Sequence, residues 1–331
     1  MKNRLLILSS FALVIAVILV AGCSEKPSKQ PGPVAATPEK GVSFLPKSMD
    51  QTGIDDFFAK TKETGGIVSW EGDWDELSRT GSGADFVSSQ TSSHGATAVI
   101  VPQFFTQSTG LLLRPLDDAT MKRYADSAAD FAAAHRLEYL GMGIEVNMLS
   151  EKSPEDFEKF VRLFADAYDA VKKKSPDTKV FTVFQLEHMK GLKGGLYGGA
   201  NDPGAAEWTL TDRFQKADLV GFTTYPGLIF KDPSDIPADY YAEIRNHTSK
   251  PVAFTEIGWQ SEAWPAGWES SDAEQAAFVT RFFELTGGLD KEMAIWSFLY
   301  DPAAPKPFDS MGLIKKDGTV RPSWDAWTKG A

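Results

Sequence analysis

Two glutamates end apolar runs in this 331-residue chain: Glu145 in Gly-Met-Gly-Ile-Glu-Val-Asn, and Glu256 in Ala-Phe-Thr-Glu-Ile-Gly-Trp. Carboxyl groups presented from buried strands into one cleft repel each other and lose water, so one keeps its proton near neutral pH while the other stays ionised. Such a pair can protonate the oxygen of a glycosidic bond from one side and attack the sugar, or activate water, from the other. Further polar and aromatic residues also end apolar runs: Trp70 and Glu71, Gln103, Asn147, Gln185, Tyr225, Trp259 and Trp296. Glu187, in Gln-Leu-Glu-His-Met, is another carboxylate so placed, with a structural salt bridge as its other reading. Trp70, Trp74, Trp259, Trp264, Trp268 and Trp296 fall in the same expected loops, where flat rings stack on sugars. The histidines, at 94, 135, 188 and 247, have no metal-ligand spacing, so neither a metal nor a cofactor is expected.

These residues need a scaffold that repeats strand and helix. Short apolar runs at 41–45, 66–70, 96–104, 139–145, 180–184, 219–225, 251–256 and 294–299 read as strands. Helical periodicity is expected over 53–64, 117–135, 154–174, 240–247 and 272–285, with a last turn at 323–328. In the 154–174 helix, Phe157, Phe160, Val161, Phe164, Tyr168 and Val171 form the buried stripe, and Pro154, Glu155 and Asp156 suit its first turn. Eight strands alternating with helices predict an α/β fold, a single-domain (β/α)8 TIM barrel, whose reacting groups gather at the carboxyl-terminal ends of the strands. An open doubly wound sheet is the alternative, but no glycine-rich phosphate loop follows the first strand.

At these motifs the chain resembles the retaining glycoside hydrolases of the large barrel clan with an acid/base glutamate after strand four and a nucleophile after strand seven. Thr255-Glu256-Ile257-Gly258-Trp259 is similar to the nucleophile motif of plant-type β-1,3-glucanases and β-1,4-galactanases. The resemblance implies Glu256 as nucleophile, Glu145 as acid/base, Tyr225 as a hydrogen-bond partner of the nucleophile and Trp296 as an aromatic platform. Where the clan carries Asn just before the acid/base residue this chain has Ile144, and Asn147 is the residue that a bulged strand end could offer to the sugar 2-hydroxyl. Trp70, Gln103, Glu187 and Trp259 complete the expected sugar-binding set.

The amino terminus implies where this happens. Lys2 and Arg4 precede an apolar run from Leu5 to Val20, as in a secretory signal. The run closes on Val20-Ala21-Gly22-Cys23, which resembles the lipobox of bacterial lipoproteins and implies cleavage after residue 22 and lipidation of Cys23. Two or three acyl chains give stable anchoring; an uncleaved membrane-spanning anchor is the alternative. Residues 23–40, rich in Pro, Lys and Ser, read as a flexible tether, and 41–331 as the catalytic domain. Ser24, in place of the Asp tied to inner-membrane retention, implies the outer membrane if the envelope has two; otherwise the periplasmic face or cell surface is expected. Cys23 is the only cysteine, so no intramolecular disulfide is available. A net charge of −11 and the lack of a basic stripe argue against nucleic acid as a partner. The sequence therefore predicts a lipid-anchored, monomeric glycoside hydrolase acting on a β-linked carbohydrate, or, alternatively, a noncatalytic carbohydrate-binding lipoprotein on the same barrel. An envelope structural protein that binds no sugar is a third class.

Overall fold

The computed structural model describes residues 40–330. The signal segment, Cys23 and all of the tether but Lys40 lie outside the described residues. Eight parallel strands close into a barrel: β1 (Lys40–Ser43), β2 (Ile67–Asp73), β3 (Thr97–Gln103), β4 (Tyr139–Gly141), β5 (Lys179–Gln185), β6 (Leu219–Thr224), β7 (Val252–Ile257) and β8 (Lys291–Trp296). They pair in sequence order, and β1 closes the circle against β8. The main helices are α1 (Gln51–Thr64), α2 (Gly83–His94), α3 (Asp118–His135), α4 (Pro154–Lys174), α5 (Asp272–Thr286) and α6 (Pro322–Lys329). The fold is a (β/α)8 barrel, as the alternation of apolar runs predicts.

Strand alternation sorts the core into two shells. Ile67, Val99, Val101, Tyr139, Phe181, Val183, Leu219, Ala253, Met293 and Ile295 fill the barrel interior as one buried cluster. Their strand neighbours, such as Val68, Ile100, Leu140, Phe222, Phe254 and Trp296, face outward into the layer beneath the helices.

Two local expectations are corrected, and one helix is added. The fourth strand stops at Gly141 rather than reaching residue 145, because Gly143 (φ 77°) and Glu145 (φ 55°) adopt left-handed backbone that no strand contains. The helix expected over 240–247 is a single 3-10 stretch, Ala242–Asn246. Helix α2 had no expectation at all: its buried positions are Ala84, Val87, Ser88 and Thr91, half of them hydroxyl residues that mask the apolar period. Thr91 spends its hydroxyl on the Val87 carbonyl at 2.9 Å, and Ser82 caps the first turn through Asp85 N.

A buried ion pair fastens the loop after β8 to α6. Arg321 donates to both carboxylate oxygens of Asp301 at 2.7 and 2.9 Å and to Asp272 at 2.8 Å, and its side chain is 1% exposed. A buried charge left without its partner costs about 3–5 kcal/mol; Asp272 and the Gly312 carbonyl stay on Arg321 when Asp301 is removed and offset part of that. Asp301→Ala is therefore expected to lose about 2–3 kcal/mol in urea denaturation, whereas a loss below about 1 kcal/mol, the range of surface pairs, would refute the clamp.

Candidate active site

The carboxyl-terminal ends of the strands open onto a cavity of about 960 Å³. Its floor holds three carboxylates, Glu71, Glu145 and Glu256, with Tyr225 and Ser297 beside them. Alternation explains most of this. On β2, Ile67 faces the interior, so Ser69, Glu71 and Asp73 face the cavity above it. On β6, Leu219 faces inward, which turns Thr223 and Tyr225 to the same side. Beyond β8, Met293 and Ile295 are followed by the inward Ser297.

Strand β7 breaks the rule. Ala253 faces inward and Phe254 outward, so strict alternation would send Glu256 out into the helix layer. A β-bulge intervenes: Phe222 pairs with Phe254 but Thr223 with Glu256, and on the other side Ala294 pairs with Phe254 but Trp296 with Ile257. The extra residue in β7 reverses the parity, and Glu256 lines the cavity.

Glu256 accepts a short hydrogen bond at Oε2 from the Tyr225 hydroxyl, which also pairs with Ser297 Oγ at 2.8 Å. Burial and the charge of Glu256 push the Tyr225 hydroxyl well above its usual range, so it stays a donor. Burial raises Glu256 above the ordinary carboxylate range, and hydrogen bonds from Tyr225 and Glu71 pull it partly back. Glu71 is held well above that range, first by burial, then by the charge of Glu256 and the contact between the two carboxyl groups, and last by the charge of Glu145.

Glu145 is 3% exposed, and its Oε1 accepts the Thr223 hydroxyl at 2.8 Å. Its left-handed backbone is one of two positive φ values at non-glycine positions among the described residues, the other being the helix-terminal Arg136. Such a conformation costs on the order of 1–3 kcal/mol and persists where the surroundings over-determine it. The turn begins the short helix Val146–Lys152, whose Met148 N bonds back to the Glu145 carbonyl at 2.8 Å.

The remaining predicted residues separate into two groups. Trp70 and Gln103 line the cavity; Gln103 donates to Phe105 O and Gln107 Oε1, each at 2.9 Å. Asn147, Glu187, Trp259 and Trp296 do not line it. Asn147 spends its amide on a backbone clamp, donating to Gln185 O at 3.1 Å and accepting from Gln185 N at 2.8 Å, so it is not placed to meet a sugar hydroxyl. Glu187 is buried on the outer side of β6, where Thr224 and Tyr240 donate to it at 2.8 and 2.9 Å. Trp259 stacks on Phe278 with centroids 5.0 Å apart, and Trp296 donates to Met311 O at 2.8 Å beside Trp327. Both indoles belong to the outer core.

Trp74 is buried, stacked with Phe104 and with the guanidinium groups of Arg114 and Arg123 against its ring, and Trp268 donates to Gly227 O at 2.9 Å. Besides Trp70, the aromatic lining of the cavity is phenylalanine and tyrosine, with Phe44, Phe298, Tyr300 and Phe308 in its walls. Charged side chains ring it as well. Arg114 grips Asp73 through two bonds at 2.6 and 2.8 Å, and Lys47 lies 4.6 Å over the Tyr300 ring. Among the described residues no group of three or more His, Cys, Asp or Glu side chains could hold a metal ion.

No protein family matches the sequence, and no curated protein does. Solved structures do match in fold. A family 39 glycoside hydrolase from the gut symbiont Bacteroides cellulosilyticus WH2 aligns over 88% of this chain with 19% identity and a TM-score of 0.61; the chain spans 62% of that protein's length. GH5_18 from Streptomyces cattleya, in complex with GlcNAc, aligns over 90% of this chain and 80% of its own, with 16% identity and a TM-score of 0.66. The GH53 catalytic domain of Ignisphaera aggregans aligns over 89% of this chain and 96% of its own, with 14% identity and a TM-score of 0.62. The chain thus shares its barrel architecture with glycoside hydrolases.

The strain at Glu145 is measurable apart from any chemistry. Glycine tolerates positive φ without a Cβ clash, whereas alanine does not. Glu145→Gly is expected to be about 1 kcal/mol more stable than Glu145→Ala in chemical denaturation. Equal stability, or a more stable alanine variant, would contradict a strained backbone at this position.

Proposed function

We propose that this chain is a membrane-tethered, extracytoplasmic glycoside hydrolase that cleaves a β-linked oligo- or polysaccharide with retention of configuration. The observation that carries the reading is Glu256, turned into the cavity by the β7 bulge, bonded to Tyr225 and sharing the cavity floor with Glu145. Withdrawal of the Glu145 and Glu256 carboxyl groups from bulk water strengthens their charge interactions during reaction.

In the first half-reaction the Glu256 carboxylate attacks the anomeric carbon while Glu145 gives its proton to the departing oxygen, so that the glycosidic C–O bond breaks as the ester bond forms. In the second, Glu145 takes a proton from water, the water oxygen bonds to the anomeric carbon, and Glu256 leaves as the carboxylate. Tyr225 holds the attacking oxygen and stays protonated throughout. The cavity volume lies within the range of sites that take ligands of drug size, roughly 300–1,000 Å³, which fits two or more sugar rings. Phe and Tyr faces in the cavity walls supply apolar surface for the rings.

The tether bears on where the cavity can face. Lys40 begins β1 at the amino-terminal face of the barrel, opposite the cavity. A chain anchored through Cys23 and entering there by a flexible tether leaves the cavity free to face glycans beyond the anchoring surface.

A second reading, a carbohydrate binder without turnover, is favoured by one specific feature: Ile144 stands at the cavity wall and Asn147 is committed to the backbone, so neither offers the sugar 2-hydroxyl a donor. A panel of β-linked glycans separates the two. The hydrolase reading expects product from the wild type, initially in the β configuration by proton NMR, none from Glu256→Ala, and a fall of about 10²–10⁴-fold in Glu145→Gln. Equal activity in wild type and Glu256→Ala, or inverted product, would overturn it, and binding without product across the panel would favour the second reading.

A further inference from the structure

Glu71 has no role in the double displacement just described, yet on the cavity floor it reaches from β2 to Glu256 on β7. These strands are not neighbours in the barrel: β1 and β8 lie between them. The parity of β2 and the bulge in β7 nonetheless bring both side chains to one cavity floor, where their carboxyl groups meet and the charge of Glu145 also reaches Glu71. Two carboxyl groups in contact and withdrawn from bulk water do not both stay ionised.

We propose that Glu71 is the positioning residue for Glu256: at neutral pH the two carboxyl groups share one proton, carried by Glu71, and that hydrogen bond acts with the Tyr225 hydroxyl to fix Glu256 as an oriented anion. The proposal deepens the hydrolase reading and rests on it for its catalytic consequence.

The surroundings decide which member keeps the proton. Tyr225 donates to Glu256 and favours its charged form, whereas Glu71 has no comparable donor and faces two acidic neighbours. From β2 itself, Asp73 is committed to Arg114. Beyond β8, Asp301 is committed to Arg321. Glu76, Arg79, Lys47 and Lys316 line the outer cavity, and Tyr197, on the loop after β5, bonds to Gln185. A donor on each side of Glu256 leaves little freedom for the carboxylate to rotate from its line of attack, which is what effective positioning requires.

Raising the pH until Glu71 ionises replaces a hydrogen bond with repulsion, so this proton loss sets an alkaline limit on activity. In Glu71→Gln the amide still donates but cannot titrate. The alkaline limb of the kcat profile is expected to move upward by about one pH unit or more, whereas Glu71→Ala, with no donor, loses kcat with little change in KM. A residue that only fills space would alter stability without moving the limb.

The dyad can also be read without substrate, by titrating glutamate side chains labelled with carbon-13 at the carboxyl carbon and following them by NMR. One carboxyl is expected to titrate well above the usual range in wild type, to disappear from that range in Glu71→Gln, and to fall back toward ordinary values in Glu256→Gln. No elevated titration, or one that persists in Glu71→Gln, would overturn the shared proton. An intact dyad with no turnover of any glycan would sink the hydrolase reading and leave the dyad standing.

Stability supplies an independent check of sign. A carboxyl group whose pKa is raised by folding supports the native state below its unfolded value of about 4.3 and withdraws that support as pH rises through the folded value. Thermal melts of Glu71→Gln should therefore gain on wild type as pH increases above that point, and a constant or shrinking gap would contradict the proposal.

Discussion

The direction in which Glu256 points depends on one extra residue in β7. A barrel strand that alternates strictly would have aimed this carboxylate at the helix layer, where Phe254 and Ile257 pack, and left Glu71 and Glu145 alone on the cavity floor. The bulge reverses that outcome between Phe254 and Glu256, and β7 stays paired with both β6 and β8 through a shift of register on each side. Everything chemical at the site follows from this turn: the Tyr225 bond, the contact with Glu71 and the crowding of charge at the floor.

The same constraint runs through the rest of the cleft. Side chains reach the cavity from positions in phase with the interior cluster, as Ser69, Glu71, Thr223 and Ser297 do. Out-of-phase residues such as Trp296 serve the outer shell, and Trp70, out of phase on β2, packs in that shell while still bordering the cavity. Glu145 reaches the floor differently, from a strained left-handed turn after a strand of only three residues. Strain of this kind is concentrated where function over-determines the backbone, and here it falls on a buried carboxyl held by Thr223.

The barrel was legible in the sequence because eight apolar runs recur with helices between them, a pattern that depends on burial alone. The two principal glutamates and Tyr225 were legible from the strand ends. Glu71 carried a usable signal, since Ile67, Ser69 and Glu71 share one parity, but the adjacent Trp70 drew attention to the opposite face. Trp296 and Trp259 misled for a related reason: an indole near a strand end suits a sugar platform or a helix-facing core equally, and only register separates them. Asn147 was two residues from Glu145 in sequence, yet a helical turn carried it away to clamp Gln185. Helix α2 stayed hidden because its hydroxyl residues bury themselves by bonding their own backbone, which periodicity of apolar residues does not register.

The central claim is that Glu256 is a nucleophile poised by its neighbours. The most direct measurement is intact-protein and peptide mass spectrometry after incubation with a panel of 2-deoxy-2-fluoro-β-glycosides bearing a good leaving group. The account predicts a mass increase of one fluorosugar on the peptide containing Glu256, absent in Glu256→Gln. A label on any other residue, or none from a fluorosugar whose parent glycan the wild type hydrolyses, would contradict it.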